Sequence, residues 1–171
     1  SLTHISNVLG TINPVEKIIA LAKKRKIIVL VDGAQSVGHL PINISKIKPD
    51  FLVFSAHKML GPTGLGVLYI NPELFNQMTP YQSGGEMISE VSFKSVKFKK
   101  VPWLLEAGTQ PLAQVYALSK SIDYINKIGI KNIFNHQREL TEYAFKELSN
   151  IEEIKIHGPV AKKRLGLISF S

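Results

Sequence analysis

Cysteine is absent from all 171 residues, so the chain forms no disulfide and offers no thiolate to a metal or a substrate. No apolar run approaches the roughly 18 residues that span a bilayer, and the first residues lack a charged-then-apolar leader pattern. Acidic side chains are the minority, 13 against 21 Lys and Arg, which leaves a net charge of +8. The basic residues gather in "KKRK" (23–26), "KFKK" (97–100) and "KKR" (162–164). Nucleic acid is one reading of such clusters, but aromatic content is only 8% and no aromatic-rich basic stripe accompanies them. "KKRK" also closes an expected helix, where cations complement the carbonyl end of the dipole. The expectation is therefore no nucleic acid and no membrane. A positive chain suits anionic small molecules, phosphates included.

What is present describes an ordinary globular chain: 44% hydrophobic, 20% charged, and long enough for one domain with a proper core. Residues 2–6 read as a short strand followed by the polar turn "NVLGTINP". Pro14 suits a first helical turn, and Val15, Ile18, Ile19 and Ala22 keep helical spacing up to the basic cluster. "IIVLV" (27–31) is too short for a helix and apolar on both faces, as a central parallel strand is. Asp32 and Gly33 end it. "FLVFS" (51–55) reads as a second such strand, and "GVLYI" (66–70) follows too closely for a helical crossover, so it should run antiparallel. Residues 81–109 look irregular. Helices are expected over 111–127, with Leu112, Val115, Leu118, Ile122 and Ile125 on one stripe, and over 130–149. Strands around 153–157 and 165–170 close the chain. The class is α/β with a mostly parallel sheet.

In such sheets ligands bind beyond the carboxyl ends of the strands, and both Asp32 and Lys58 lie there. Lys58 stands in "FSAHKMLGPTGLG" (54–66), directly after a buried strand, where a surface lysine has little reason to be. It either snorkels to water or is held in a pocket. A lysine partly withdrawn from water is a nucleophilic amine that can form a Schiff base. A carboxylate opposite it could hold the ring nitrogen of pyridoxal phosphate protonated, which makes the ring an electron sink. Ser55 and His57 could donate to the phosphate, and Gln35 could reach the phenolic oxygen. Each residue has a plainer reading. Asp32 before Gly33 is a common strand-to-turn pair, and His57 alone is an ordinary polar residue. Without a site, all these coincidences are required together.

The runs "THISNVLGTINP", "VDGAQ", "FSAHKMLGPTG", "GGEMI" and "PWLLEAGTQ" appear in an order and spacing that resembles the class V aminotransferase family. The resemblance is nearest to its Suf-type cysteine desulfurases, the selenocysteine lyase-like branch. It covers nearly the whole chain. It implies the large domain of a fold-type I pyridoxal-phosphate transferase, a mostly parallel mixed sheet flanked by helices, incomplete at both ends. Residues 1–158 would be the second half of that domain and 159–171 the start of a small C-terminal domain.

By the same resemblance Lys58 holds the cofactor covalently, Asp32 pairs with the pyridinium nitrogen and Gln35 bonds the ring oxygen. Asn7 contacts that side and the substrate, and Ser55 and His57 bind phosphate. Thr109 reaches the phosphate of a neighbouring subunit, which implies a homodimer. Two positions depart from the family pattern: Ser83 opens "SGG" where a third glycine is common, and Leu104 stands where arginine often follows "PW". No metal is implied. His4 is a further candidate base, although its strand-like neighbours favour a structural role.

The implied reaction converts L-cysteine to L-alanine and passes sulfur, as a persulfide, to a Suf-type acceptor for iron–sulfur cluster assembly. A bacterial cytoplasm or plastid-type organelle would be the setting. The accepting cysteine and the arginine for the substrate carboxylate would lie outside residues 1–171, so these residues alone should not desulfurate cysteine. A selenocysteine lyase, another lyase or an epimerase of the same family is the nearest alternative. A non-catalytic dimerising relative is a third, and it would need none of Asp32, Gln35, His57 and Lys58.

Overall fold

A computed structural model describes residues 1–171. Its centre is a four-stranded sheet built from β1 (Leu2–Thr3), β2 (Leu30–Asp32), β3 (Phe51–Ser55) and β4 (Gly66–Ile70), in that spatial order. β1, β2 and β3 are mutually parallel, and β4 returns antiparallel to β3 as its short connection requires. Thr3 pairs with Asp32, and Asp32 with Val53, so three strands end at nearly the same level.

Helix α1 (Val15–Lys24) begins just after Pro14 and buries Val15 and Ile19 against Val29, Val31 and Leu52. Each such aliphatic side chain withdrawn from water contributes about 1.5–3 kcal/mol. Because strand side chains alternate, the Val31–Leu52 face belongs to α1, and Asp32 and Val53 point to the opposite face. The second core adjoins the first on the Leu52 face, further along the strands, where Phe54 packs against both. There Ala56 and Met59, just past β3, pack on Leu118 and Ile125 of α3 (Leu112–Ile128). Helix α4 (Ile130–Ser149) follows α3 through Gly129, whose φ of +87° turns the chain sharply. No helix is long and apolar enough to cross a membrane.

Four expectations need correction. The strand expected over 27–31 is β2, Leu30–Asp32, and Ile27 and Ile28 are 54% and 58% exposed. Lys26 takes a positive φ, and the Ile27 N–H closes the end of α1 on the Ala22 carbonyl, so those residues belong to the helix terminus. Within the stretch expected to be irregular, β5 (Ile88–Val91) and β6 (Val96–Phe98) form an antiparallel hairpin. Its turn is closed by Ser92, whose N–H donates to the Ser95 carbonyl and whose Oγ accepts from the Lys94 and Ser95 N–H groups. Serine does here what Asn-Gly usually signals.

The buried residues of α3 are Leu118, Ser121 and Ile125, whereas Leu112, Val115 and Ile122 of the expected stripe are exposed. The buried stripe of α3 meets the lysine turn, the strand residues Phe54 and Val67, and the start of α4 at Ile130 and Ile133. The closing strands are also shorter than expected. β7 (Ile156–His157) pairs antiparallel with β8 (Ser169–Phe170), and Arg164 and Leu165 instead run beside the 10–12 turn. Beyond these, a short helix, α2 (Ile44–Ile47), capped by Asn43, precedes β3.

The start of β2 is fixed by a side chain. Asp50, buried just before β3, accepts the Val29 N–H through Oδ2 at 2.8 Å, and its own N–H donates to the Val29 carbonyl. Asp50→Ala leaves that N–H buried without a partner, which should cost about 1–3 kcal/mol. Urea unfolding of the parent and variant checks this, and a loss below about 0.5 kcal/mol would assign the register to the strands alone.

Candidate cofactor site at the strand ends

Asp32 closes β2, and the ladder runs one residue further because the Gly33 N–H donates to the Val53 carbonyl at 2.8 Å. The chain then turns back: Asp32 Oδ1 accepts the Ala34 N–H at 2.9 Å, and Ser36, wholly buried, donates both N–H and Oγ to the Gly33 carbonyl. The carboxylate is thereby oriented by its own turn while remaining half-buried. Its second oxygen stays free for another donor.

On the neighbouring strand, β3 ends at Ser55 and passes into a 3-10 turn, Ala56–Met59, which carries His57 and Lys58. The turn is fixed at both ends. The Ala56 N–H donates to the Leu65 carbonyl at 3.0 Å, and the Gly61 N–H to the Ala56 carbonyl at 2.9 Å. Ala56 and Met59 are buried beneath it, which leaves His57 exposed and Lys58 half-buried between them. Ser55 occupies the cap position without using its hydroxyl on the turn. That hydroxyl is available to a ligand.

The two segments touch directly. Gly38, at φ +89° in the turn after β2, lies so close to the lysine turn that a Cβ there would sit 2.6 Å from Met59 Cβ. Lys58 and Asp32 therefore belong to neighbouring parallel strands whose following turns pack on each other. They form no ion pair with one another or with any other side chain. The carboxylate and the amine, at adjacent strand ends, are each left without a charged partner. A cationic ring nitrogen on one side and an electrophilic carbon on the other fit that donor set.

The remaining candidates spread outward. Gln35 lines a cavity of about 270 Å³ with Ile5, His39, Gln137 and Leu165, where His39 Nδ1 and Gln137 Nε2 are 2.8 Å apart. Asn7 is exposed in the turn after β1, which Ser6 closes by accepting the Leu9 N–H on Oγ and donating its own N–H to the Thr11 carbonyl. Thr109 is exposed and follows Gly108, whose N–H donates to the Gly85 carbonyl at 2.9 Å. Thus "SGGE" and "EAGT", separate in the sequence, make one structure, with Gly84 packed against Ala107 and Gly108. The segment beside Thr109 lies along β4, the far edge of the sheet from β1.

His4 is not part of this cluster. Its N–H donates to the Asp32 carbonyl, but alternation sends its ring to the α1 face, into a cavity lined by Val15 and Ile47. The ring is 7% exposed and its Nδ1 has no partner. Arg164 is also buried: it donates Nε to the Pro159 carbonyl at 2.6 Å and Nη2 to the His157 carbonyl at 2.7 Å, over the Phe145 ring. It braces the 157–164 loop and belongs to no ion pair. Burial pushes the guanidinium down from its ordinary value, though it stays a cation. The residues that sequence reasoning missed are Ser36, Gly38 and Ser121. Gly38 alone carried a signal, as a glycine outside any expected turn.

A lysine and a carboxylate at adjacent parallel strand ends, with hydroxyl and imidazole donors beside the lysine, define an α/β cofactor-binding domain. The chain belongs to the aminotransferase class-V family, whose profile matches residues 1–171. Among curated proteins it is 42% identical to a cysteine desulfurase of Haloferax volcanii, covering 100% of this chain and 40% of that protein. It is 43% identical to a probable cysteine desulfurase of Halalkalibacterium halodurans, covering 100% of this chain and 42% of that protein. Among solved structures, the apo cysteine desulfurase of Thermococcus onnurineus superposes with a TM-score of 0.92 at 38% identity, over 99% of this chain and 44% of that one. The chain thus spans less than half the length of these relatives. Membership of the family supports pyridoxal phosphate as the cofactor and agrees with the mixed sheet and flanking helices found here.

Burial pushes the His4 imidazole below its ordinary 6.5, because desolvation disfavours the charged ring. The folded state then binds fewer protons than the unfolded one as pH falls. The stability His4 contributes is complete above about pH 6.5 and is lost on acidification below it, down to the folded ring's own pKa. Urea midpoints measured between about pH 5 and 7.5 should fall with acid in the parent and fall less steeply in His4→Gln. Parallel slopes would remove His4 from the acid response.

Proposed function

We propose that this chain is the lysine-bearing part of a pyridoxal-phosphate-dependent cysteine desulfurase of the Suf type. The observation that carries the reading is the pair Asp32 and Lys58 on neighbouring parallel strand ends, oriented but unpaired, in a chain about 40% identical to cysteine desulfurases. When bound, the cofactor supplies an electron sink that weakens the bonds at the substrate's α-carbon.

The protein's residues hold and direct that group. Asp32 keeps the ring nitrogen protonated, its Oδ1 steadied by the Ala34 N–H so that the carboxylate does not rotate away. Lys58 would hold the cofactor covalently through Nζ, and its amine could hold or move a proton at the substrate. Ser55 Oγ and His57 donate to the phosphate, which reinforces the fit of a positively charged chain to an anionic ligand. Gln35 bonds the ring oxygen, and Asn7 reaches that oxygen and the substrate from the turn after β1. Thr109, exposed beside β4, extends to the phosphate of a second copy, so the working unit is a homodimer.

The substrate is L-cysteine and the products are L-alanine and sulfur. A thiolate must accept that sulfur as a persulfide, and residues 1–171 contain none. It comes from elsewhere in the protein, and a Suf-type acceptor then carries the sulfur toward iron–sulfur clusters. Residues 159–171, which carry β8, would begin the smaller domain in this reading.

Borohydride reduction of the full-length protein with pyridoxal phosphate, followed by peptide mapping, should put the label on Lys58. A label on Lys46 or Lys48 would displace it. Asp32→Ala should keep some cofactor and lose most release of alanine from L-cysteine, since binding survives but the electron sink does not. Turnover near the parent level would remove Asp32 from the site.

A further inference from the structure

The lysine turn is held from beneath by a side chain sixty-one residues away. Ser121, in the middle of α3 and 9% exposed, donates Oγ to the Leu60 carbonyl at 2.9 Å and lies 3.1 Å from the Ala117 carbonyl. Leu60 is the residue that ends the Ala56–Met59 turn, and it does so at φ +63°, a conformation that a branched side chain rarely adopts. Such a backbone persists only where its surroundings impose it. Three contacts do so here: Gly61 donates to Ala56, Gly38 closes on Met59, and Ser121 takes the Leu60 carbonyl.

Of the three, only the Ser121 contact ties the turn to a helix. Leu118 and Ile125, one turn of α3 to either side of Ser121, form the floor on which Ala56 and Met59 rest. The apolar floor sets the height of the turn but not its rotation, because such contacts have no preferred direction. A hydrogen bond to the carbonyl two residues past Lys58 does have one. It fixes the peptide plane at Leu60, and with it the direction in which the preceding turn presents Lys58.

We propose that Ser121 is a positioning residue for Lys58, setting the orientation from which its amine meets the cofactor. The inference rests on the reading that Lys58 carries pyridoxal phosphate. Ser121 touches neither cofactor nor substrate; it acts through Leu60. Its hydroxyl, and not its volume, is what the role needs.

The test uses the full-length protein as parent, Ser121→Ala and Ser121→Thr, with Ser119→Ala as a control on the exposed side of the same helix. Three readouts are taken: exchange of the Gly61 amide in the apo protein, the rate at which added pyridoxal phosphate condenses with Lys58, and the pH midpoint of the resulting chromophore. Ser121→Ala should speed Gly61 exchange and slow condensation by about threefold to tenfold, the factor one net hydrogen bond carries, and should move the midpoint. Ser121→Thr should restore all three, and Ser119→Ala should leave them unchanged.

Equal rates and midpoints in the parent and Ser121→Ala overturn the proposal, as does a loss that Ser121→Thr fails to restore. Borohydride trapping separates the two ways of being wrong. A label on Lys58 in every variant, with no effect of Ser121→Ala, removes Ser121 alone. A parent label on another lysine removes the Lys58 reading and this proposal with it.

Discussion

Everything at the candidate site depends on the parallel pairing of β2 with β3. Register sets Asp32 opposite Val53, and the Gly33 N–H carries the ladder one residue past the carboxylate. A one-residue slip would send Asp32 to the α1 face, into an aliphatic core where a carboxylate has no partner. The register is therefore enforced by what each face is made of. Val31 and Leu52 have to meet Val15 and Ile19, and Asp32 falls on the other side as a consequence.

Beyond the strand ends, the two turns are built so that each limits the other. The turn after β2 folds back on itself through Asp32 Oδ1 and Ser36, which brings Gly38 against Met59. The turn after β3 is pressed onto α3 by Ala56 and Met59, and the leftover positions, His57 and Lys58, are the ones that reach solvent. Burial of the small and apolar members of "AHKM" thus presents its polar members. Rigid elements carry the chemistry-bearing side chains, and the more distant Asn7 and Thr109 stand on exposed turns.

How much of this the sequence disclosed follows from how local each cause is. The placement of Asp32 at the end of β2 and of Lys58 in the turn after β3 was legible because each stands at the carboxyl end of a short apolar run. The antiparallel return of β4 was legible from a connection too short for a helix. The β5–β6 hairpin was not, since Ser92 closes it without the glycine or asparagine that marks most tight turns. Ile27 and Ile28 misled because a continuous β-branched run looks the same whether it pairs or merely leaves a helix. The buried stripe of α3 includes Ser121 and omits Val115 and Ile122, because Leu118 and Ile125 pack on Ala56 and Met59 with the Leu60 carbonyl between them, and no helical period encodes those partners. Long-range pairing of that kind, like Gly38 with Met59 or Gly85 with Gly108, exists only in three dimensions.

The central claim is that Asp32 and Lys58 grip opposite sides of one pyridoxal ring. A crystal structure of the full-length protein grown with pyridoxal phosphate tests it most directly. The account predicts continuous density from Lys58 Nζ to the cofactor, with an Asp32 carboxylate oxygen within hydrogen-bond distance of the ring nitrogen and Ser55 Oγ against the phosphate. Density joined to a different lysine, or a ring nitrogen facing away from Asp32, would contradict it.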